Sequence, residues 1–333
     1  MRNNIKSNMY KKTFLVIILT LAVCQTSIAQ TEIDYNHCNC KEIINYKEEN
    51  KSLKNGDYSF TCINSLNEKG AYKNGQKDGL WTVKNENGIT ISKIEYSEGN
   101  LQGSYELYFY KGDPKLTAHF KNNEPKGEWK YYNEKGKIIK QGTYKNGIPI
   151  GTWKVFDKKG KKIIAEYDFD KYQPVINANS KIKNSYLPQD DESGEYIIIY
   201  YPERKNITNN IPFEGSILSN NLFIDLLNIP YVLMNTETQY NFIVKGKITE
   251  GKLEIEDMYS RKASFNINSV SFPFIAQTNS PKKIKKINHT DILIEKTMER
   301  IQETLMVLGP WVSNTNETFV INIPFVLNKI NGI

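Results

Sequence analysis

Residues 127–150 read GEWKYYNEKGKIIKQGTYKNGIPI, and this pattern recurs along the middle third of the chain at a step of 24 residues. Each unit opens on a glycine that is followed, at the second position, by an aromatic residue. These are Gly79, Gly103, Gly127 and Gly151, with Trp81, Tyr105, Trp129 and Trp153. Three more columns keep the step: Tyr72, Tyr96, Phe120, Tyr144; Gly88, Gly112, Gly136, Gly160; and Gly75, Gly99, Asn123, Gly147. Columns that stay in register indicate a tandem array.

The spacing of the glycines predicts that each unit is made of two short strands. Glycines recur every 9 to 15 residues, which leaves no room for an ordinary helix. Segments such as Ile138–Tyr144 alternate apolar or aromatic residues with polar ones, as half-buried strands do. One hairpin of each unit turns at Gly88 or its equivalents, and the other just before the next unit. We therefore expect residues 55–170 to form one continuous antiparallel sheet, with the four opening glycines in equivalent turns.

This segment resembles the bacterial variant of the MORN repeat, whose unit G-x-W…Y-x-x-G-x-x-x-G forms an extended antiparallel β-sheet. The resemblance covers about residues 55–170. It implies scaffolding and contact with proteins or membrane surfaces, and it argues against an enzyme. The repeated aromatic residues then form the core of a thin sheet, or they form a face that stacks carbohydrate or peptide.

The N-terminal segment is typical of a secretory signal peptide. Lys11-Lys12 precedes the apolar run Phe14–Val23, which is too short to span a bilayer comfortably. Ser27 and Ala29 occupy the small-residue positions of a cleavage site. Residues 1–29 are therefore predicted to be removed, which leaves a mature chain that begins at Gln30. The protein would be exported, either periplasmic or associated with the outer membrane.

Two alternatives stay open for this segment. Leu21-Ala-Val-Cys24 is similar to a lipoprotein signal, and it would place a lipid on Cys24. An uncleaved anchor is the other possibility. Under either alternative the protein is attached to a membrane, and membrane contact is therefore a possible property of the chain.

Three cysteines follow the predicted cleavage site: Cys38, Cys40 and Cys62. In an oxidising envelope, Cys38 or Cys40 is expected to form a disulfide with Cys62, fixing the N-terminal segment 30–54 to the start of the array. The run His37-Cys-Asn-Cys40 could also hold a metal ion, but it lacks a nearby second histidine, and we predict no metal site.

The charge balance gives no indication of nucleic-acid binding. The formal charge of +7 falls to +3 (7 − 4) when residues 1–29 are removed, because they hold four basic residues and no acid. The basic run Lys282–Lys286 is most simply a solvated loop. The histidines His37, His119 and His289 are scattered, and the glycines follow the repeat rather than a phosphate-binding loop. We predict no catalytic residues and no cofactor.

The pattern changes after the array. Residues 171–194 are polar and predict a linker, and residues 195–333 predict a second domain. Its expected elements are a strand at Tyr196–Tyr201, a short helix at Leu222–Leu227, a hairpin of Tyr240–Val244 with Lys252–Glu256, an amphipathic helix at Asp291–Val307 and a closing strand at Thr318–Ile323.

This order of elements is similar to the C-terminal domain of TonB-type energy transducers. The resemblance spans about residues 212–330 and is carried by Phe223–Pro230, the hairpin Tyr240–Met258, Leu308–Trp311 and Ile323-Pro-Phe325. It implies a small α+β module that binds an extended peptide by adding a strand to its sheet. The candidate edge is the closing strand, with Thr318, Val320, Asn322 and Pro324.

Together these patterns predict a mainly β protein, in which an antiparallel MORN-repeat sheet is followed by a small TonB-C-like α+β domain. The expected function is that of a non-catalytic envelope protein that contacts an envelope protein or peptide. The alternative is a lipid-anchored or surface protein that binds glycans through the aromatic face of the repeats. The oligomeric state and the identity of the partner do not follow from the sequence.

Overall fold

The computed structural model describes residues 28–36, 39–47, 49–63, 65–176, 187–190, 196–200, 211–227, 240–262, 282–285, 292–313 and 319–325. Within these residues the protein is mainly β, as the sequence predicts. The largest element is a 13-stranded sheet in which every strand pairs antiparallel with the next one along the chain. The expected single antiparallel sheet over the repeats is confirmed, and its described residues contain no helix.

The strands of the large sheet follow one another without a crossover. They are β1 (Ile28–Tyr35), β2 (Cys40–Lys47), β3 (Asn50–Cys62), β4 (Leu66–Lys73), β5 (Gln76–Asn85), β6 (Thr90–Ser97), β7 (Asn100–Tyr108), β8 (Pro114–Lys121), β9 (Glu124–Tyr132), β10 (Ile138–Lys145), β11 (Ile148–Phe156), β12 (Ile163–Asp168) and β13 (Gln173–Ile176).

Two kinds of turn alternate along the array. Two-residue turns with φ between 48° and 81° at both positions occur at Asn74-Gly75, Glu98-Gly99, Asn122-Asn123 and Asn146-Gly147. Positive φ at both central residues is the geometry that matches the twist of paired strands, and glycine and asparagine adopt it most readily. The longer turns contain Gly88 and its equivalents. In one of them Asn133 Oδ1 accepts the N–H groups of Lys135 and Lys137, both at 3.0 Å.

The structure corrects the predicted position of the four opening glycines. Gly79, Gly103, Gly127 and Gly151 all have positive φ, between 61° and 97°, so their conformations are alike. Each one, however, lies inside a strand and not in a turn. The pairing shifts there, so that residues 151–153 lie opposite the single residue Gly142. These glycines therefore form β-bulges, which, like tight turns, need a residue in the left-handed backbone conformation.

The large sheet extends beyond the predicted array on its N-terminal side. Strands β1 and β2 continue it as far as Ile28, so the last two residues of the predicted signal peptide begin β1, and its other residues lie outside the described part. Cys40 and Cys62 face each other across β2 and β3 and form a disulfide. The predicted disulfide is confirmed with Cys40 as the partner, and Cys38 lies outside the described residues.

The C-terminal third contributes two helices and three small sheets in its described residues. The helices are α1 (Ser216–Leu227) and α2 (Ile292–Leu308). The strands are β14 (Leu187–Asp190), β15 (Tyr196–Tyr200), β16 (Ile211–Pro212), β17 (Tyr240–Thr249), β18 (Lys252–Lys262), β19 (Lys282–Lys285), β20 (Trp311–Val312) and β21 (Phe319–Phe325). The sheets have the orders β14-β15-β19, β16-β20 and β18-β17-β21.

Most of the predicted C-terminal elements are present within a few residues of their expected bounds. The basic run predicted as a loop is an exception, because Lys282–Lys285 forms β19 and pairs with β15. The predicted linker likewise contains β13 and β14. The C-terminal elements share one hydrophobic core with the repeats, in which Trp129 and Trp153 lie in the same cluster as Leu305 and Ile321.

Candidate functional site

The repeated aromatic residues of the later repeats pack against one another in a buried row. Ring centroids are 5.2 Å apart between Phe120 and Trp129, 4.8 Å between Trp129 and Tyr144, and 4.9 Å between Tyr144 and Trp153. The four predicted aromatic residues are all buried. The indole N–H of Trp153 donates to the backbone oxygen of Thr143 at 3.2 Å. These rings are brought together as a core, and the structure does not present them to solvent.

Helix α2 packs against the repeats through charged side chains. Glu68, on β4, is almost fully buried and lies 2.6 Å from Lys296 Nζ and 3.3 Å from Arg300 Nη2. Burial would raise the pKa of Glu68, but the charges of Lys296 and Arg300 outweigh it and hold that pKa below its usual value. The helix is therefore joined to the array by a buried ionic contact.

The ionic contact continues along the same side of α2. Glu299 pairs with Lys77 of β5, and the charges of Lys296 and Lys77 lower the pKa of this partly buried carboxyl. Glu303 accepts hydrogen bonds from Arg300 at 2.9 Å and from the hydroxyl of Tyr96 at 3.3 Å. The sequence predicts one buried apolar side for this helix, and the structure buries its charged side as well.

The C-terminal end of α2 is held by the array too. The hydroxyl of Tyr131 donates to the backbone oxygen of Val307 at 2.6 Å, and Lys140 Nζ donates to that of Leu308 at 2.7 Å. The last carbonyl groups of a helix have no hydrogen-bond donor within the helix, and they carry partial negative charge. The hydroxyl supplies a donor, and the ammonium group supplies both a donor and a positive charge.

Lys140 also forms a buried ion pair with Glu214. The distance from Lys140 Nζ to Glu214 Oε1 is 2.7 Å, and each side chain is only 1% exposed. Burial raises the pKa of Glu214 and lowers that of Lys140, while the attraction between the two charges opposes both shifts. The rings of Tyr131 and Phe213 lie 5.1 and 5.2 Å from the ammonium group.

The predicted peptide-binding strand, β21, is an end strand of its sheet. In the described part of the chain it pairs with β17 alone, although β14 lies close to it. Pro324 stands opposite Asn241 and has no N–H to donate. Along an antiparallel strand, the backbone groups of successive residues point alternately toward the paired strand and away from it. Pro324 fits a position that points away from β17, so the N–H groups of Asn322 and Val320, two and four residues earlier, also point away from β17. Thr318 lies outside the described residues.

Four residues that the sequence patterns do not single out make contacts between the two parts of the chain: Glu68, Lys140, Glu214 and Arg300. One pattern could have found two of them. Glu68 and Lys140 are equivalent positions of the repeat, in a column that also contains Ser92 and Leu116. All four residues of that column are buried. A charged residue in a core-facing column needs a partner, and that requirement points to an element docked on the array.

Comparisons with known proteins assign no family, since no family model matches the chain and no curated protein is similar to it.

The described residues contain no cluster of three or more side chains that could hold a metal ion. None of the described helices is both long enough and apolar enough to cross a membrane.

Proposed function

We propose that this chain is an exported, non-catalytic envelope protein that binds an extended peptide along β21. A MORN-like repeat sheet would act as the scaffold, and a TonB-C-like α+β module would supply the binding edge. One observation carries the proposal: β21 ends its sheet, and its outward backbone groups at Val320 and Asn322 pair with no other described strand. Such an edge can accept a peptide as an added strand.

The order of the C-terminal elements supports this proposal. Helix α1, the β17–β18 hairpin, helix α2 and β21 follow one another as in the TonB-type domain that the sequence resembles. Buried Ile321 and Ile323 fix β21 to the core, so the strand is held in an extended shape before a peptide arrives. A pre-ordered strand reduces the entropy lost on binding.

The glycan-binding alternative has less support. Its expected binding face consists of the repeated aromatic residues, and Trp81, Trp129 and Trp153 are buried. A sugar ring would reach them only if the side chains that cover them were displaced, such as Lys77 above Trp81 and Phe213 beside Trp153. The outward side of β21, by contrast, pairs with no other described strand.

The test uses the full chain, because α2 and the repeats share one core. Random linear peptides displayed on phage are selected for binding, and amide hydrogen exchange then locates the selected peptide. We expect fast exchange at the outward N–H groups of Val320 and Asn322 in the free protein, and slower exchange when the peptide is bound. Val320→Pro removes one outward donor and should abolish binding. Val320→Thr keeps the donor and should bind normally.

Three results would contradict the proposal. The amides of β21 could already be protected in the free protein, which would mean that β14 or a second copy of the chain covers the edge. Selected peptides could protect another strand, such as β13 or β18. Val320→Pro could also bind as well as Val320→Thr, which would exclude strand addition at this edge.

The envelope location has its own test. Intact-mass analysis of the protein purified from its native envelope distinguishes the proposed start at Gln30 from a lipid-modified Cys24. A diacyl mass on Cys24 would replace cleavage after Ala29 with a lipoprotein anchor.

A further inference from the structure

A cavity of about 390 Å³ lies between α1 and the turns at one end of the last repeats. We call it the α1 pocket. Its apolar wall includes Ile139, Val155, Ile164, Leu218 and Leu222. This volume falls within the range of small-molecule sites, which are also mainly apolar with a few polar groups.

The buried pair Lys140 and Glu214 belongs to the lining of the α1 pocket. Glu214 Oε1 accepts from Lys140, but Glu214 Oε2 is buried and accepts no hydrogen bond from the described residues. The backbone N–H of Glu214 and the hydroxyl of Ser219 lie close enough to lower the pKa of this carboxyl, yet neither makes a hydrogen bond to Oε2, and the hydroxyl of Ser219 donates to the backbone oxygen of Gly215 at 2.7 Å. A buried acceptor without a hydrogen bond favours a ligand that brings a donor, and the Glu214 carboxyl must turn toward the pocket to meet it, because Oε2 itself has almost no contact with solvent.

Lys140 can contribute to the same ligand. An ammonium group has three N–H donors, and two of them go to Glu214 Oε1 and the backbone oxygen of Leu308. A hydroxyl group can donate its hydrogen to Glu214 Oε2 while its oxygen accepts from Lys140. One hydroxyl therefore complements both groups of the pair.

The charges around the pocket favour a neutral molecule. Lys140 and Glu214 already balance each other in a buried site, and a third charge would be poorly solvated there. The exposed charged residues of the lining also balance, since they are two acids and two bases: Glu134, Asp225, Lys135 and Lys158. Neither a fatty acid nor an amine is matched by this arrangement.

We propose that the α1 pocket binds a neutral, mainly apolar molecule with one hydroxyl group, such as a substituted phenol, whose hydroxyl meets Glu214 and Lys140. This site is separate from the β21 edge. It can exist whether or not the chain binds peptides.

The test compares p-cresol, toluene and p-toluate as probes of the full chain. These molecules share one ring and differ in a hydroxyl, a hydrogen and a carboxylate. We expect p-cresol to shift the methyl resonances of Ile139, Ile164, Leu218 and Leu222 in a saturable way. Toluene should bind about ten-fold more weakly, because it leaves the carboxyl oxygen without a donor. The anion p-toluate should bind more weakly still.

Two variants place the binding in this pocket. Leu218→Trp fills the cavity and should remove the p-cresol shifts. Leu80→Trp adds the same ring at an exposed position on the repeats and should keep them. Glu214→Gln keeps the shape of the side chain, and it should weaken p-cresol binding more than toluene binding.

Each other outcome overturns the proposal. Equal affinity for p-cresol and toluene would mean that the ion pair does not recognise the hydroxyl. Shifts that persist in Leu218→Trp would place the ligand elsewhere. No shift of the pocket methyls up to the solubility of p-cresol would show that the cavity takes only water. If Glu214→Gln fails to fold, the comparison of the three probes on the unmodified chain still decides.

Discussion

Replacing Gly70 with alanine tests how closely the repeats are packed. Gly70 lies on β4, opposite the bulge that carries Trp81. A Cβ built on Gly70 would lie 2.7 Å from Cγ of Trp81 and closer still to two other ring atoms. The φ angle of Gly70 is outside the left-handed region, so alanine fits the backbone and the ring alone creates the conflict.

The size of the effect follows from what Trp81 can do. The ring must move by roughly 1.1 Å or more to restore ordinary contact, while the ring centroids of Tyr58 and Tyr72 lie 5.1 Å from that of Trp81. Trp81 would lose the hydrogen bond from its indole N–H to the oxygen of Ala71, now 3.2 Å long. Overpacking costs about 1–3 kcal/mol, and alanine recovers up to about 1 kcal/mol by restricting the unfolded chain. We expect a net loss of about 2 kcal/mol.

The third repeat limits how large this loss can be. Ala118 already stands opposite the bulge of Trp129, and the indole N–H of Trp129 finds no acceptor in the described residues. A second position for the ring is thus available, at the expense of one hydrogen bond. Gly70→Ala should move Trp81 toward that position and should not unfold the array.

The assay is equilibrium unfolding in urea, followed by tryptophan fluorescence and circular dichroism. Gly127→Ala is the matched control, because a Cβ there meets nothing within 4 Å and φ is +70°. Backbone strain alone should then cost about 1 kcal/mol. A Gly70→Ala variant within about 0.5 kcal/mol of the parent would refute the argument from the ring, because that is the usual range of a harmless surface change.

Three further predictions concern the free energy of unfolding. Replacing Cys40 and Cys62 together with alanine should lower it by about 3 kcal/mol, measured in urea against the oxidised parent, because the disulfide closes a loop of 22 residues. Burial lowers the pKa of Lys115 to about 8 in the folded state. The free energy of unfolding should therefore rise between about pH 8 and 10.5, where this lysine has lost its proton in the folded state but not in the unfolded state. The variant Lys115→Met should be more stable than the parent at pH 7, and its stability should rise less over the same pH range. Lys140→Met should lower the free energy of unfolding by about 3 kcal/mol, because it leaves Glu214 buried without a partner. Adding Glu214→Leu should recover most of this loss, and equal stability of the single and double variants would contradict the prediction.

The repeat sheet could be predicted because its determinants are local. The glycine columns and the alternation within segments such as Ile138–Tyr144 fix strands and turns within one 24-residue unit. The sequence predicts turns at the glycines of the bulges, because both features need a residue with positive φ and the sequence alone does not separate them. The repeat pattern does not predict the extension of the sheet to Ile28, because strands β1 and β2 lack the repeat.

The docked side of α2 could not be predicted, because its partners are distant in sequence. Glu68 and Lys296 are 228 residues apart. A helix with apolar residues at Ile294, Ile301 and Leu305 indicates one buried side, and its charged side then appears free for solvent. The repeats bury that side only because Glu68 and Lys77 supply opposite charges.

One of the two candidate sites could be predicted from the sequence and the other could not. The position of the closing strand β21 at the edge of its sheet could be predicted from its place after helix α2 and from Pro324. The α1 pocket could not be predicted, because Lys140 and Glu214 come from different parts of the chain and meet only after those parts pack together. Glu214 directly follows the apolar segment Ile211-Pro-Phe213, which is a weak indication that its carboxyl is buried.

The charges of the repeat column explain why α2 docks in one direction. Glu68 and Lys140 occupy the same column three repeats apart, and six strand spacings span about 29 Å. Helix α2 has 17 residues and is about 26 Å long. Its N-terminal half meets Glu68 and its C-terminal carbonyl meets Lys140, so each charge opposes the partial charge of the nearer helix end. A reversed helix would place Lys296 and Arg300 near Lys140. The array therefore sets both the position and the direction of α2, and through α2 it supports the sheet that carries β21 and the pocket beside α1.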